Sequence, residues 1–265
     1  NLINKISKDT EIFYHLAALI GIPYSYTAVD SYIDTNIKGT KNILSSCLNN
    51  KKIEKIIITS TSEVYGSAIN VPINETHPLQ AQSPYSASKI AADSLATSFQ
   101  LSFGLPITIA RPFNNYGPRQ SARAVIPTII SQILNGRKKI ELGNINTKRD
   151  FIYVKDTVDA LSLLKKDNKM TGEVVNICSA NEISIENLFN KIKKLLKSNA
   201  KLVTKKNRIR PKNSEVTRLL GDNKKMIKSF KWKAKYNLED GLKETIEWYS
   251  NEKNLSFFKK LNYTI

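Results

Sequence analysis

The sequence predicts an α/β protein, a parallel sheet wrapped by helices and followed by a smaller α/β lobe. Two observations carry this. Short runs rich in Ile and Val alternate with helical patterns through the first two thirds of the 265 residues, the signature of βαβ units around a parallel sheet. From about Pro118 the pattern changes to helices interleaved with isolated strands.

Taken in order, strands are predicted over residues 11–16, 55–59 and 106–110. Between them lie helical patterns at 32–49 and 85–103, each long enough to cross back over a sheet. The first ends in the polar turn Asn49-Asn-Lys-Lys52 and the second at Gly104 with Pro106 beyond, both stop signals. After Pro118 come a helix at 125–134, strands at 139–142 and 173–177, and helices at 156–165 and 184–196. Two more helices follow at 223–230 and 238–249, the last with Leu242, Ile246 and Tyr249 on one stripe.

Composition narrows the function. Hydrophobic residues make up 41% and charged residues 24% of the chain, which indicates neither a disordered tail nor a membrane protein. There is no apolar run of about 18 residues and no basic-then-apolar leader with a cleavage site, so a cytoplasmic protein with no membrane partner is expected. Cys47 and Cys178 stand far apart without CxxC spacing, so both read as reduced and buried, with no metal site. A formal charge of +18 raises the question of nucleic acid. The lysines are scattered, however, and the cluster Lys191, Lys193, Lys194 and Lys197 falls at surface spacing on a predicted helix. No nucleic-acid partner is expected.

Tyr85-Ser-Ala-Ser-Lys89 opens a predicted helix. Residues four apart share a helical face, so the Lys89 ammonium can sit near the Tyr85 phenol and favour its ionised form, making it a general base. The same spacing also suits an exposed pair on an amphipathic helix. Ser60-Thr-Ser-Glu-Val-Tyr-Gly66 follows the strand at 55–59, at the carboxyl edge where open α/β sheets bind ligands. It reads either as a hydroxyl and carboxylate for acid/base work or as a helix cap; Gly66 and the polar stretch after it favour a loop.

Seven segments, in order, resemble the landmarks of the NAD-dependent epimerase/dehydratases among the extended short-chain dehydrogenase/reductases. They are His15-Leu-Ala-Ala18, Asn36-Ile-Lys-Gly-Thr40, Ser60–Gly66, Tyr85–Lys89, Arg111-Pro-Phe-Asn-Asn-Tyr-Gly-Pro118, Arg149-Asp-Phe-Ile-Tyr-Val-Lys-Asp156 and Gly241-Leu-Lys-Glu-Thr-Ile-Glu-Trp248. The resemblance implies a Rossmann-like doubly wound parallel sheet, with residues 1–117 the remainder of an NAD-binding domain and 118–265 mainly a substrate lobe that returns some segments to the main sheet. No GxxGxxG occurs, so the first βα units, which place pyrophosphate on a helix N-terminus, are expected to be missing, and the chain reads as a fragment or a miscalled start.

The resemblance further implies Thr61, Ser62, Glu63, Tyr85 and Lys89 as the catalytic set. It implies cofactor contacts from Leu16, Ala17, Ala18, Asn36, Ser60, Tyr85 and Lys89, and nucleotide-diphosphate contacts from Asn114, Arg149 and Arg210, with Arg208 and Arg123 weaker candidates and His15 structural. Glu63 looks like the dehydratases and UDP-glucuronate decarboxylases rather than simple 4-epimerases, and Ser62 stands where dTDP-glucose dehydratases typically carry Asp. The wording around Leu19–Tyr26, Gln82–Tyr85 and Arg119–Pro127 looks most like the retaining N-acetylglucosamine nucleotide 4,6-dehydratases of legionaminic-acid-type pathways. A homodimer built on the helices at 32–49 and 85–103 is also implied. The alternatives are a decarboxylase or epimerase of the same family and, outside enzymes, an inactive fragment or basic binding protein.

Overall fold

The structure, a computed structural model, describes residues 2–165, 168–256 and 258. Its main sheet contains β1 (Ile12–His15), β2 (Lys55–Thr59) and β3 (Ile107–Pro112). The chain then leaves the sheet through β4 (Asn114–Tyr116), β5 (Lys139–Leu142) and β6 (Lys148–Tyr153) and returns as β7 (Val174–Ile177). The order is β1-β2-β3-β7, and every neighbour pair is parallel. A Rossmann-like parallel sheet is therefore present, as predicted.

Alternation along β2 explains why this sheet is covered on both faces. Ile56 and Ile58 point into a cluster with Ile43, Leu44, Cys47 and Ala96, from helices Gly39–Cys47 and Pro84–Phe103. Ile57 points the other way, against Ala160, Leu161 and Leu164 of helix Val154–Leu164 and Met226 and Trp232 beyond. All three isoleucines are fully buried, each contributing roughly 1.5–3 kcal/mol. A second sheet forms around β6, which pairs in parallel with β4 and β10 (Arg218–Leu219) and antiparallel with β8 (Glu182–Ser184). Strand β5 pairs separately with β9 (Lys201–Thr204). Tyr116, Ile129, Leu188, Leu242 and Tyr249 sit in the core beneath these strands.

Helix Pro84–Phe103 starts and stops on local signals. Ser83 Oγ accepts from Ser86 N at 3.1 Å and Ser86 Oγ accepts from Ser83 N at 3.0 Å, a reciprocal cap with Pro84 in the first turn. Gly104 ends it at φ 70°, a left-handed position without penalty for glycine.

The predicted helix at 32–49 is not one regular helix. A turn of α-helix at Val29–Tyr32 passes into a π-helical stretch at Ile33–Lys38 before α-helix resumes at Gly39–Cys47. The widened stretch carries Asn36, whose Nδ2 donates to Leu19 O at 3.0 Å and Ser88 Oγ at 2.9 Å while Oδ1 accepts from Leu19 N at 2.8 Å. Those bonds anchor it against the loop after β1 and against the helix carrying Tyr85. Strands β4, β6, β8, β9 and β10 and a helix at Leu2–Ser7 were not predicted.

Candidate active site

The carboxyl edge of β2 builds the site. After Thr59 the chain turns through Ser60 and Thr61 into a single 3-10 turn, Ser62–Tyr65, capped by Thr61 Oγ1, which accepts from Glu63 N at 3.2 Å. The cap and acid/base readings of this segment are thus compatible, because the residue that caps the turn is also held at the site. Gly66 closes the turn at φ 61°, and a Cβ there would lie 2.6 Å from Gln80 O. No other residue fits without moving that backbone.

Tyr85 enters from the first turn of its helix. Thr61 lies against its phenol and favours ionisation, while Glu63 is close enough to oppose it electrostatically. The Tyr85 ring meets Tyr32 edge-on at 6.1 Å. One turn on, Lys89 is buried and donates through Nζ to Thr59 O at 2.7 Å. The expectation that Lys89 lowers Tyr85 is not met. Burial pushes the phenol well above its ordinary value, and burial likewise lowers the Lys89 ammonium, with Asp93 opposing. Desolvation is the largest influence on each group, since both are buried.

His15 ends β1 below Lys89. Its Nε2 lies 3.0 Å from Thr40 Oγ1, and burial together with the Lys89 charge drops it to about 4. Beyond it Leu16, Ala17 and Ile20 are exposed and Ala18 partly so, forming an apolar lip. Ser60 Oγ donates to Asp93 Oδ2 at 2.8 Å. Asp93 also takes Arg111 Nη2 at 3.0 Å, Arg111 Nη1 donates to Tyr65 OH at 3.1 Å, and Tyr65 OH donates to Asn176 Oδ1 at 2.7 Å. This buried chain ties β2, β3, β7 and the Tyr85 helix together behind the site. Asp93, Arg111 and Tyr65 were missed by sequence reasoning; Asp93, four residues after Lys89 on the same helical face, was the available signal.

On the open side Glu63 Oε2 pairs with Arg210 Nη1 at 3.6 Å. Arg149, on β6, pairs with Glu215 at 3.7 Å and senses both Glu63 and Arg210; burial lowers its proton affinity. The structure therefore brings Thr61, Glu63, Tyr85, Arg149 and Arg210 together, with Ser62 buried in the turn. Asn114 instead donates to Asp150 O at 3.2 Å. Arg208 is tied to Glu141 of β5, and Arg123 stacks over Tyr24 at 5.4 Å. Among the described residues no cluster of His, Cys, Asp and Glu could hold a metal, and no helix is long and apolar enough to cross a membrane. A recess lined by Phe151, Ser179, Glu182, Ile183, Tyr236 and Leu238 contains none of the predicted site residues.

The family model for GDP-mannose 4,6 dehydratase matches residues 1–245. The chain belongs to this family. Within it, the human dTDP-D-glucose 4,6-dehydratase is 33% identical over 249 residues, covering 92% of this chain and 69% of that protein. The UDP-N-acetyl-alpha-D-glucosaminuronate decarboxylase of Bacillus cytotoxicus is 32% identical over 265 residues, covering 96% and 81%. The UDP-glucuronic acid 4-epimerase of Bacillus cereus, solved with UDP-glucuronic acid and NAD, superimposes with a TM-score of 0.87 at 28% identity, covering 94% of this chain and 78% of that one. Dehydratases, decarboxylases and epimerases of nucleotide sugars are thus all similar to this chain.

Proposed function

We propose that the protein is a cytoplasmic, homodimeric nucleotide-sugar 4,6-dehydratase that converts N-acetylglucosamine carried on UDP or GDP to its 4-keto-6-deoxy form. The observation that carries this reading is Glu63, a carboxylate on the turn capped by Thr61 and within electrostatic reach of Tyr85. Simple epimerisation at C4 has no use for a base at C5, whereas loss of water across C5 and C6 does.

The residues fit NAD. Thr59 Oγ1 is buried without a hydrogen-bond partner, and the buried Lys89 Nζ donates to Thr59 O with two further N–H groups to offer. The apolar lip of exposed Leu16 and Ala17 and partly exposed Ala18 lies along the same edge. Leu16, Ala17, Ala18, Tyr85 and Lys89 would hold the cofactor, with Asn36 and Ser60 fixing the walls, since their own polar groups are bonded to Leu19, Ser88 and Asp93. When bound, NAD supplies a reversible hydride acceptor whose positive nicotinamide ring offsets the cost of ionising a buried phenol.

Tyr85 takes the proton of the sugar 4-hydroxyl as C4 is oxidised, and Thr61 hydrogen-bonds the same oxygen. The ketone acidifies the C5 hydrogen, and Glu63 removes it. The 6-hydroxyl then leaves as water. Ser62 cannot readily donate the proton this needs, so Glu63 returns the one it took. The hydride removed from C4 then goes back to C6, and C5 regains a proton in place of the one that Tyr85 took and releases to solvent, which leaves the 4-keto-6-deoxy sugar and one water. Arg149 and Arg210 hold the diphosphate, which suits guanidinium forks, and Asn114, bonded to the backbone of Asp150 next to Arg149 in the chain, is a further substrate contact in this reading.

A second reading, decarboxylation of a nucleotide-linked uronic acid, is favoured by the Arg210 guanidinium beside Glu63, a cation for the C5 carboxylate, and by the decarboxylase among the relatives. Mass analysis of products decides between them. A product lighter by one water from UDP- or GDP-N-acetylglucosamine supports the dehydratase. Carbon dioxide from UDP-glucuronate with no such product overturns it in favour of the decarboxylase.

A further inference from the structure

The pairing of Glu63 with Arg210 is loose. Arg210 Nη1 stands 3.6 Å from Glu63 Oε2, outside hydrogen-bonding distance, and this Nη1 is buried with no hydrogen-bond partner. Arg149 meets Glu215 in the same way, at 3.7 Å. Arg149 and Arg210 also repel each other. Two guanidiniums and two carboxylates therefore share a largely buried space without the short bidentate bonds that such groups form when their geometry is satisfied. The segment that delivers Arg210 is itself basic, with Lys205, Lys206, Arg208 and Lys212 around it.

A diphosphate has what this cluster lacks, several charged oxygens spaced to accept from a guanidinium fork. Its arrival changes the partner of Arg210, and Glu63 is the group that loses one. We propose that the Glu63–Arg210 pair is a latch: the substrate's diphosphate takes Arg210 and thereby frees the Glu63 carboxylate to turn toward the sugar. Arg210 is then a positioning residue for Glu63 as well as a contact for the nucleotide. The inference rests on the diphosphate-sugar reading of the same site and adds a coupling to it. Because the ligand must break the pair to use Arg210, the pair opposes diphosphate binding, and by linkage diphosphate opposes the pair.

The test needs neither sugar nor turnover. Inorganic pyrophosphate and UDP are titrated calorimetrically into the protein, Glu63→Gln, Arg210→Met and the double variant, each first checked for a native thermal transition; Arg210→Gln replaces Arg210→Met if the latter unfolds. Removing the competing carboxylate should tighten pyrophosphate about fivefold or more, the scale of a partly buried ion pair. In the Arg210→Met background the same change should alter affinity by less than about twofold, because a double-mutant cycle isolates the pair. Unchanged or weaker binding by Glu63→Gln overturns the latch and leaves the diphosphate site intact. Equal tightening in both backgrounds also overturns it, since the effect would be general charge rather than this pair. Failure of the unsubstituted protein to bind either ligand at millimolar concentration overturns the diphosphate reading itself, and the latch with it.

Discussion

Asp93 and Arg111 form a buried ion pair at 3.0 Å, with side chains only 3% and 5% exposed, and breaking it should be the most damaging polar change behind the site. Asp93→Asn leaves the Arg111 guanidinium without its counter-charge, and Arg111→Met leaves the carboxylate. Each should cost about 3–5 kcal/mol, a large share of the roughly 5–15 kcal/mol that holds a typical domain. The double replacement Asp93→Asn/Arg111→Met removes both charges of the pair, though Lys89 loses the favourable Asp93 charge and Tyr65 loses its bond from Arg111, so it should cost less than the sum of the two singles. Urea unfolding followed by circular dichroism and by the buried Trp232 measures all four proteins. The pH dependence gives a second check. Burial raises Asp93 while Arg111 holds it down, so in Arg111→Met the carboxyl rises further and binds its proton more tightly folded than unfolded. Relative to the unsubstituted protein, that variant is then most stable in acid, and the difference is lost as pH rises through the raised value. Strictly additive single costs, or an Arg111→Met variant that gains stability toward neutral pH relative to the unsubstituted protein, would refute the reasoning.

This network also marks the limit of what could be read in advance. Strands β1, β2, β3 and β7 were legible because their isoleucines and valines are apolar on both faces, a local property of four to six residues. The helix Pro84–Phe103 was legible because Ser83, Pro84 and Gly104 sit at its own ends. Strand β6 was not, since its Arg149 and Asp150 interrupt the apolar pattern. Asp150 is buried because the amides of Ser179, Ala180 and Gly221 converge on it, partners up to 71 residues distant. The π-helical stretch at Asn36 likewise depends on Ser88, 52 residues on. At the site, Thr61, Glu63, Tyr85 and Lys89 could be found from two short motifs. Arg111 was legible only as part of a landmark segment and Asp93 not at all, because their pairing depends on Ser60, Tyr65 and Asn176 being brought to them from separate strands and turns. The shift of Tyr85 could not be anticipated either, because spacing gives proximity to Lys89 but not the burial that dominates both groups.

Three further outcomes follow from the geometry. His15 is held at about 4 against an ordinary 6.5, so the unfolded chain binds a proton that the folded chain refuses, and stability should fall by roughly 2 kcal/mol between about pH 7 and pH 5. Asp150, pushed up to about 6 by burial, acts in the opposite direction, so the check is the difference between the protein and His15→Asn, which should lose the acid-side decline; identical pH profiles would remove His15 as its source. Leu48, Leu101 and Phe103 are exposed on the two long helical segments, which motivates a homodimer through that face, and a monomer by sedimentation at micromolar concentration would count against it. The last outcome concerns the roles of Tyr85 and Glu63, which the proposed chemistry separates. With NAD and nucleotide sugar supplied, Tyr85→Phe should abolish the reduced-nicotinamide absorbance, because nothing remains to take the 4-hydroxyl proton. Glu63→Gln leaves Thr61, Tyr85 and Lys89 in place, so that absorbance should persist while water loss slows by about 10²–10⁴, the range for a positioned general base. The bound sugar should then be a 4-ketone that still carries its 6-hydroxyl, detectable by mass. If Glu63→Gln instead forms the dehydrated product at the unsubstituted rate, the carboxylate serves only the turn and its partner Arg210, and the feature that separates a dehydratase from an epimerase in this chain is gone.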